Sequence, residues 1–220
     1  MIKDSSKKIE EIIETIKKRS SEIYDNFGTG PSYHFYKRLY QLRNDYNNIE
    51  LFLSKDYHID LLYAALISWG MNSRRAKIKD FDQFRQSICS CSDQFKDLET
   101  FEKEGIKDFN KLKPILQEIY GNLSLMKTSG ILVSNSKLLH FLFPKVCMPM
   151  DRTYTLSYFY GYADESLKKY IEITELSYEI MNLPENWGNY LDDKWNTTVP
   201  KLIDNAIILL EEKSVKNNGI

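Results

Sequence analysis

Apolar residues recur at three- and four-residue intervals along almost the whole chain, a spacing that gathers them on one face of an α-helix and scatters them over both faces of a strand. In the first segment they are Ile9, Ile12, Ile13, Ile16, Ile23 and Phe27, and Gly28-Thr29-Gly30-Pro31-Ser32 closes it, so a helix is predicted over 4–27. A second is predicted over 33–43, with Phe35, Tyr36, Leu39 and Tyr40 inward. Asp56 is placed to cap a third, whose body from Ile59 to Trp69 is apolar nearly all round and belongs at the centre of a helical packing. Leu61, Leu62, Ala65 and Leu66 should be interior, with Leu138, Leu139 and Phe141 from a later helix.

Further helices are expected over 77–88, 93–103 and 110–120, the last ended by Gly121. Ser134 is placed to cap 135–143, Asp151 to cap 152–160 and Asp164 to cap a helix reaching Met181, and Pro200 opens a final helix to about Glu212. Strand-length alternation is scarce, so the fold class is all-α. The Gly28–Gly30 turn is not a phosphate loop, because no lysine–hydroxyl pair follows it and nothing before it reads as a strand.

With 220 residues, 42% of them hydrophobic and including eleven Phe and fifteen Tyr, the chain can bury a sizeable core over 1–213 as one domain or two closely packed lobes. Residues 214–220 read as a frayed tail. The charged start Lys3-Asp4-Ser5-Ser6-Lys7-Lys8 has no apolar signal core, and the longest apolar stretch is too short to span a bilayer, which makes the expected location cytoplasmic and excludes a membrane partner. Cys89, Cys91 and Cys147 form no C-x-x-C pair and read as buried free thiols. His34, His58 and His140 are scattered, so no metal site and no cofactor is expected. A net charge of −1 gives no global footprint for nucleic acid. Locally, Arg74, Arg75, Lys77 and Lys79 form a compact basic cluster, which is also how a solvated helix end looks.

Two segments combine rigid support with polar chemistry. The apolar helix from Ile59 runs out through Ser68-Trp69-Gly70-Met71-Asn72-Ser73 into the basic cluster, which would present a loop on a stiff base. Downstream, Lys137-Leu138-Leu139-His140 leads through Met148-Pro149-Met150 to Asp151-Arg152, where an aspartate at a helix start keeps its carboxylate in a favourable field. Each has an ordinary structural explanation: a core Trp69 with a terminating Gly70, and an aspartate that is only a cap.

Taken together, Ile59 to Asn72 resembles the early core helix of the helix-hairpin-helix DNA glycosylase superfamily, which includes endonuclease III and the archaeal 8-oxoguanine glycosylases. Met148-Pro149-Met150-Asp151-Arg152-Thr153-Tyr154 looks like that family's proline–aliphatic–aspartate segment. The resemblance implies an all-helical, two-lobed architecture with a central cleft, double-stranded DNA as partner, and Asp151 as the carboxylate of base excision. It implies DNA contact from Trp69, Met71 or Asn72 at the flipped base, from Arg74, Arg75, Lys77 and Arg152, and from the Ser134, Asn135 and Ser136 amides at a helix start. The family's glycine–hydrophobic–glycine turn keeps one glycine here, Gly130, and its iron–sulfur cysteines are absent. Its Schiff-base lysine would fall near Leu132 or Val133, so Lys137 and Lys127 are the candidate amines. The competing reading is a non-catalytic helical nucleic-acid-binding or protein-interaction module on the same scaffold.

Overall fold

A computed structural model of the protein describes residues 2–23, 28–73, 76–161 and 164–218, with side chains described through residue 212. Among these residues the regular structure is helical, apart from one isolated antiparallel bridge between Ile78 and Met126, so the fold is all-α. In chain order the helices are α1 (Ser5–Arg19), α2 (Pro31–Asp45), α3 (Ile49–Leu53), α4 (Asp56–Leu66), α5 (Phe81–Cys89), α6 (Ser92–Glu104), α7 (Phe109–Asn122), α8 (Leu132–Leu142), α9 (Ser157–Tyr160), α10 (Leu167–Met181) and α11 (Val199–Asn218). The chain forms two compact units. One is continuous, residues 29–147, and the other joins residues 1–28 to 148–220. No described helix is long and apolar enough to cross a membrane.

In the continuous unit α8 is the most enclosed element: every residue from Leu132 to Leu142 is buried, including Ser134, Asn135, Ser136, Lys137 and His140. A buried helix can carry such residues only if each finds a partner. The Ser134 and Ser136 hydroxyls donate to the carbonyls of Ile131 and Val133, three residues back. Asn135 donates to the Leu123 carbonyl at 2.9 Å, and the His140 Nδ1 lies 2.8 Å from the Cys147 carbonyl. Helices α2 and α4 pack with α8. Leu62, Ala65, Leu66, Leu138, Leu139 and Phe141 are buried as expected; Leu61 is only partly covered, because α4 leaves one side towards solvent, where Asp60 and Ile67 are exposed.

Arg43, buried near the end of α2, ties three elements. Its Nε donates to the Leu142 carbonyl at 2.8 Å, its Nη1 to the Tyr46 carbonyl at 2.5 Å, and its Nη2 faces Glu99 of α6 at 3.5 Å. One turn further along α6, the Glu102 carboxylate accepts the Lys145 amide at 3.0 and 3.2 Å.

In the other unit, α1 packs on α11 and α10. A buried chain of polar groups fixes the start of α11. Lys201 Nζ donates to Asp204 and to Asn205, both at 2.6 Å, and Asn205 donates to the Asn196 side chain at 2.8 Å. Asn196 in turn donates to the Ser20 carbonyl at 3.0 Å, which joins the segment before α11 to the end of α1.

Several boundaries differ from expectation for local reasons. Helix α1 stops at Arg19 and passes into a 3₁₀ turn, Ser20–Glu22; Phe27 lies outside the described residues. Asp56 is the first helical residue of α4 rather than its cap, and its carboxylate pairs with Arg85 at 2.6 Å. The helix expected from Lys77 starts at Phe81, capped by Asp80, because the bridge claims residues 77–79. Gly121 sits inside the last turn of α7. Ser134 lies within α8, whose cap position is Ile131. Ser166 caps α10, and Asp164 instead holds the Lys169 ammonium. Helix α11 continues past Glu212 to Asn218, and Cys89 is exposed while Cys91 and Cys147 are buried.

Burial raises the Glu102 carboxyl to about 7, against the opposing pull of the Lys145 amide and Arg43. A folded pKa above the unfolded one makes the charged form a liability, so this group's contribution to stability is full below about pH 4.5 and is lost as pH rises through 7. His58, buried with its pKa pushed down chiefly by desolvation, has the opposite sign and costs stability as pH falls below its unfolded value. Glu102→Gln should therefore stabilise the protein relative to the parent increasingly from pH 5 to pH 7.5, by up to roughly 1.4 kcal/mol per pH unit. Urea unfolding at a series of pH values measures it; a difference independent of pH contradicts the assignment.

Candidate functional site

The two segments singled out in the sequence share one structural peculiarity: each passes through a π-helical turn, Ile67–Met71 after α4 and Arg152–Leu156 before α9. Such turns open the regular ladder and leave carbonyls to be satisfied by other groups.

At the end of α4 the cause is local. Trp69 leaves helical geometry at φ −88°, ψ 18°, and Gly70 takes φ 87°, a left-handed value that its missing Cβ tolerates. The carbonyls released are taken up in order. Ser32 Oγ donates to Ser68 at 2.9 Å, Lys137 Nζ to Trp69 at 3.0 Å and Ser73 Oγ to Gly70 at 2.9 Å. Lys137, 7% exposed, is thus the cation at the C-terminal end of α4, where the helix field favours it, and its ammonium lies 5.8 Å from the centre of the Trp69 ring.

Trp69 is also spoken for. Its indole N–H donates to the Ser32 carbonyl at 3.1 Å, and its ring packs edge-on to Phe141 with centroids 4.7 Å apart. Met71 is buried; Asn72, the next residue, is exposed. Of the three residues placed at a flipped base, Asn72 is the one at the surface.

Arg74 and Arg75 lie outside the described residues. Beyond them the chain pairs with the segment that precedes α8: Lys79 N donates to the Leu125 carbonyl at 2.9 Å, and Lys127 N to the Lys77 carbonyl at 2.8 Å. Ile78 and Met126 are buried at the bridge, which sets the exposed Lys77 and Lys127 beside each other on the surface. Lys79 is partly covered and donates to Ser124 Oγ at 2.7 Å. The sequence puts Lys77 in a basic cluster and Lys127 among candidate nucleophiles; the bridge that makes them neighbours has no short-range signal.

The Ser134–Ser136 stretch, expected as a phosphate grip, is buried within the first turns of α8. The Asn135 amide already donates to the Ile131 carbonyl at 2.9 Å. The helix starts three residues earlier than a Ser134 cap implies, so the Asn135 and Ser136 amides serve the helix ladder, and an anion at this helix start would meet the amides that come before Asn135.

Asp151 belongs to the other unit. It is half-buried, and its Oδ1 accepts the Thr153 amide at 2.8 Å while its own N–H donates to Thr155 Oγ1 at 3.0 Å. These reciprocal bonds fix both backbone and carboxylate at the start of the Arg152–Leu156 turn. The preceding Met148, Pro149 and Met150 are buried and anchor it from behind. Arg152 is exposed, and its guanidinium is ion-paired with Glu165, whose side chain is buried. Among the described residues, no group of three or more His, Cys, Asp or Glu is placed to hold a metal ion.

The cap defines a stability experiment. Asp151→Ala should cost on the order of 1 kcal/mol through the lost bond to the Thr153 amide, and Asp151→Asn, which can still accept it, should lose only a fraction of that. Equal melting of all three proteins would show that the cap contributes nothing. Comparison of the sequence with family models and curated proteins, and of the structure with solved structures, found no match.

Proposed function

We propose that the protein binds duplex DNA on a helix-hairpin-helix glycosylase-like scaffold and releases a base with Asp151 as the acting carboxylate. The observation that carries this reading is the double anchoring of Asp151, by the Thr153 amide in front and Thr155 Oγ1 behind, at the head of a π-helical turn. A carboxylate fixed in this way needs no reorganisation to stabilise positive charge growing on a deoxyribose, or to orient an attacking water. The base would be turned out of the stack before it is released. Direct water attack is favoured over a lysine Schiff base, because Lys137 is committed to the Trp69 carbonyl and Lys127 stands exposed at the bridge.

A second reading, a binding module without excision, is favoured by one specific observation. The hairpin segment that would grip phosphate has its polar side chains turned into the interior and bonded there.

DNA binding is tested first. Association with a duplex should weaken steeply with added salt, and Lys77→Glu with Lys127→Glu should flatten that dependence by about 0.9 in log–log slope for each phosphate no longer neutralised. Binding that ignores salt, or its absence at low salt, removes DNA as the partner. For the chemistry, duplexes carrying a single uracil, 8-oxoguanine, hypoxanthine or alkylated purine are offered to the parent and to Asp151→Asn. The parent should release one of these bases without a borohydride-trapped covalent complex, and Asp151→Asn should bind the same duplex and release none. DNA binding without any release assigns the chain to the binding-module reading.

A further inference from the structure

Two phenols meet at the corner between α2 and α4. Tyr46, the residue that ends α2, and Tyr57, the second residue of α4, have their hydroxyl oxygens 3.4 Å apart. Helix α3 lies between them in sequence, so the contact is a product of the fold. Its base is buried. His58 is fully enclosed, its Nδ1 lies 2.7 Å from the Phe52 carbonyl, and its ring stacks on that of Phe52 with centroids 4.3 Å apart. Both tyrosines stand edge-on against this imidazole, Tyr46 with centroids 4.7 Å apart and Tyr57 with centroids 4.2 Å apart. The Tyr46 backbone is fixed as well: its amide donates to the Leu42 carbonyl at 2.8 Å, and its own carbonyl accepts Arg43 at 2.5 Å.

The pair is also reachable from solution. Tyr57 is 50% exposed and Tyr46 is half-buried, so a soluble oxidant meets the Tyr57 ring directly. Tyr36 and Tyr40 approach one another too, with centroids 6.5 Å apart, but Tyr36 is 1% exposed. The contact with Tyr46 is the chief influence on the Tyr57 phenol and moves its pKa up, so at neutral pH Tyr57 enters any oxidation protonated and gives up a proton with its electron.

We propose that Tyr46 and Tyr57 form an oxidative modification site, at which one-electron oxidation by a haem peroxidase and hydrogen peroxide joins the two rings as a dityrosine. Each phenol gives up one electron and its hydroxyl proton, which leaves two phenoxyl radicals with spin on the carbons ortho to oxygen. Those carbons couple to form one C–C bond. The hydrogen on each coupling carbon then moves to the oxygen of its own ring, which restores both phenols. The two electrons and two protons are taken up as the peroxide O–O bond breaks, and the peroxide leaves as two waters. Because the fold holds the rings together, the coupling is intramolecular, at an effective concentration far above that of a second protein molecule in a micromolar solution. The product closes a covalent loop over residues 46–57 and ties the end of α2 to the start of α4 across α3.

The full chain, at low micromolar concentration and pH 7.5, is treated with a haem peroxidase and limiting hydrogen peroxide. The monomer should become lighter by two hydrogen atoms and gain dityrosine fluorescence. A tryptic digest should join peptide 44–55 to peptide 56–74, with fragmentation placing the bond between Tyr46 and Tyr57 rather than at Tyr63. Tyr46→Phe and Tyr57→Phe each keep the ring that packs on His58 and lose only a hydroxyl. Both should retain the parental circular dichroism spectrum and lose nearly all of the monomer's dityrosine signal. Tyr63→Phe, at a phenol that donates to the Lys79 carbonyl, should leave the signal unchanged. The peptide map of the parent decides the matter even where a variant misfolds. Dityrosine confined to dimers, spread over other tyrosines, or retained in either folded variant at position 46 or 57 overturns the proposal.

Discussion

The continuous unit depends on one buried guanidinium. Arg43 satisfies the last carbonyl of α8 and the carbonyl that ends α2, and it neutralises Glu99 on α6, so three helices are held in register by a side chain that is itself 6% exposed. An arginine suits this position because its planar fork can meet acceptors in several directions while always remaining charged. The arrangement would be a cost if any of those acceptors were missing, since a buried cation without partners is strongly destabilising. Glu99 and Glu102, one turn apart on α6, complete it: the first faces Arg43, and the second accepts the Lys145 amide in the turn that follows α8.

With its C-terminal end fixed, α8 can be enclosed along its whole length, and this changes what its polar residues are for. On an exposed helix, Ser134, Asn135, Ser136 and Lys137 would be an advertisement for ligands. Enclosed, they satisfy backbone groups instead: Ser134 and Ser136 bond to carbonyls at the start of their own helix, and Asn135, Lys137 and His140 to carbonyls where a helix stops, Leu123 after α7, Trp69 after α4 and Cys147 after α8. Asn135 and Lys137 of the central helix therefore act as caps of its neighbours, and the kink after α4 is held where Lys137 meets the Trp69 carbonyl.

That dependence explains what is legible in the sequence. Helical periodicity reveals the fold class and most of the core, because burial of one face is a local property of the pattern, and Leu62, Leu66 and Leu138 can be placed without any tertiary information. Caps are less legible. Asp151 and Pro200 stand where the sequence puts them, whereas Asp56, Ser134 and Asp164 yield to Lys55, Ile131 and Ser166, since a capping side chain competes with other partners, distant ones such as Arg85 for Asp56 and near ones such as Lys169 for Asp164. Nothing local announces that Lys77 meets Lys127, or that Arg43 should be interior: an arginine inside a helical pattern reads as surface until the groups that surround it are known.

The same competition bears on which positions of this all-α fold could change without losing its structure. In the segment around Lys137 the polar atoms are held by the structure, so changing any of them for the sake of chemistry would leave a neighbouring carbonyl unsatisfied inside the core. Asp151 is under a different constraint. Its capping bond uses one carboxylate oxygen and a main-chain amide two residues ahead, a task that asparagine or serine performs as well in a helix start. Capping alone therefore does not require a negative charge at this position.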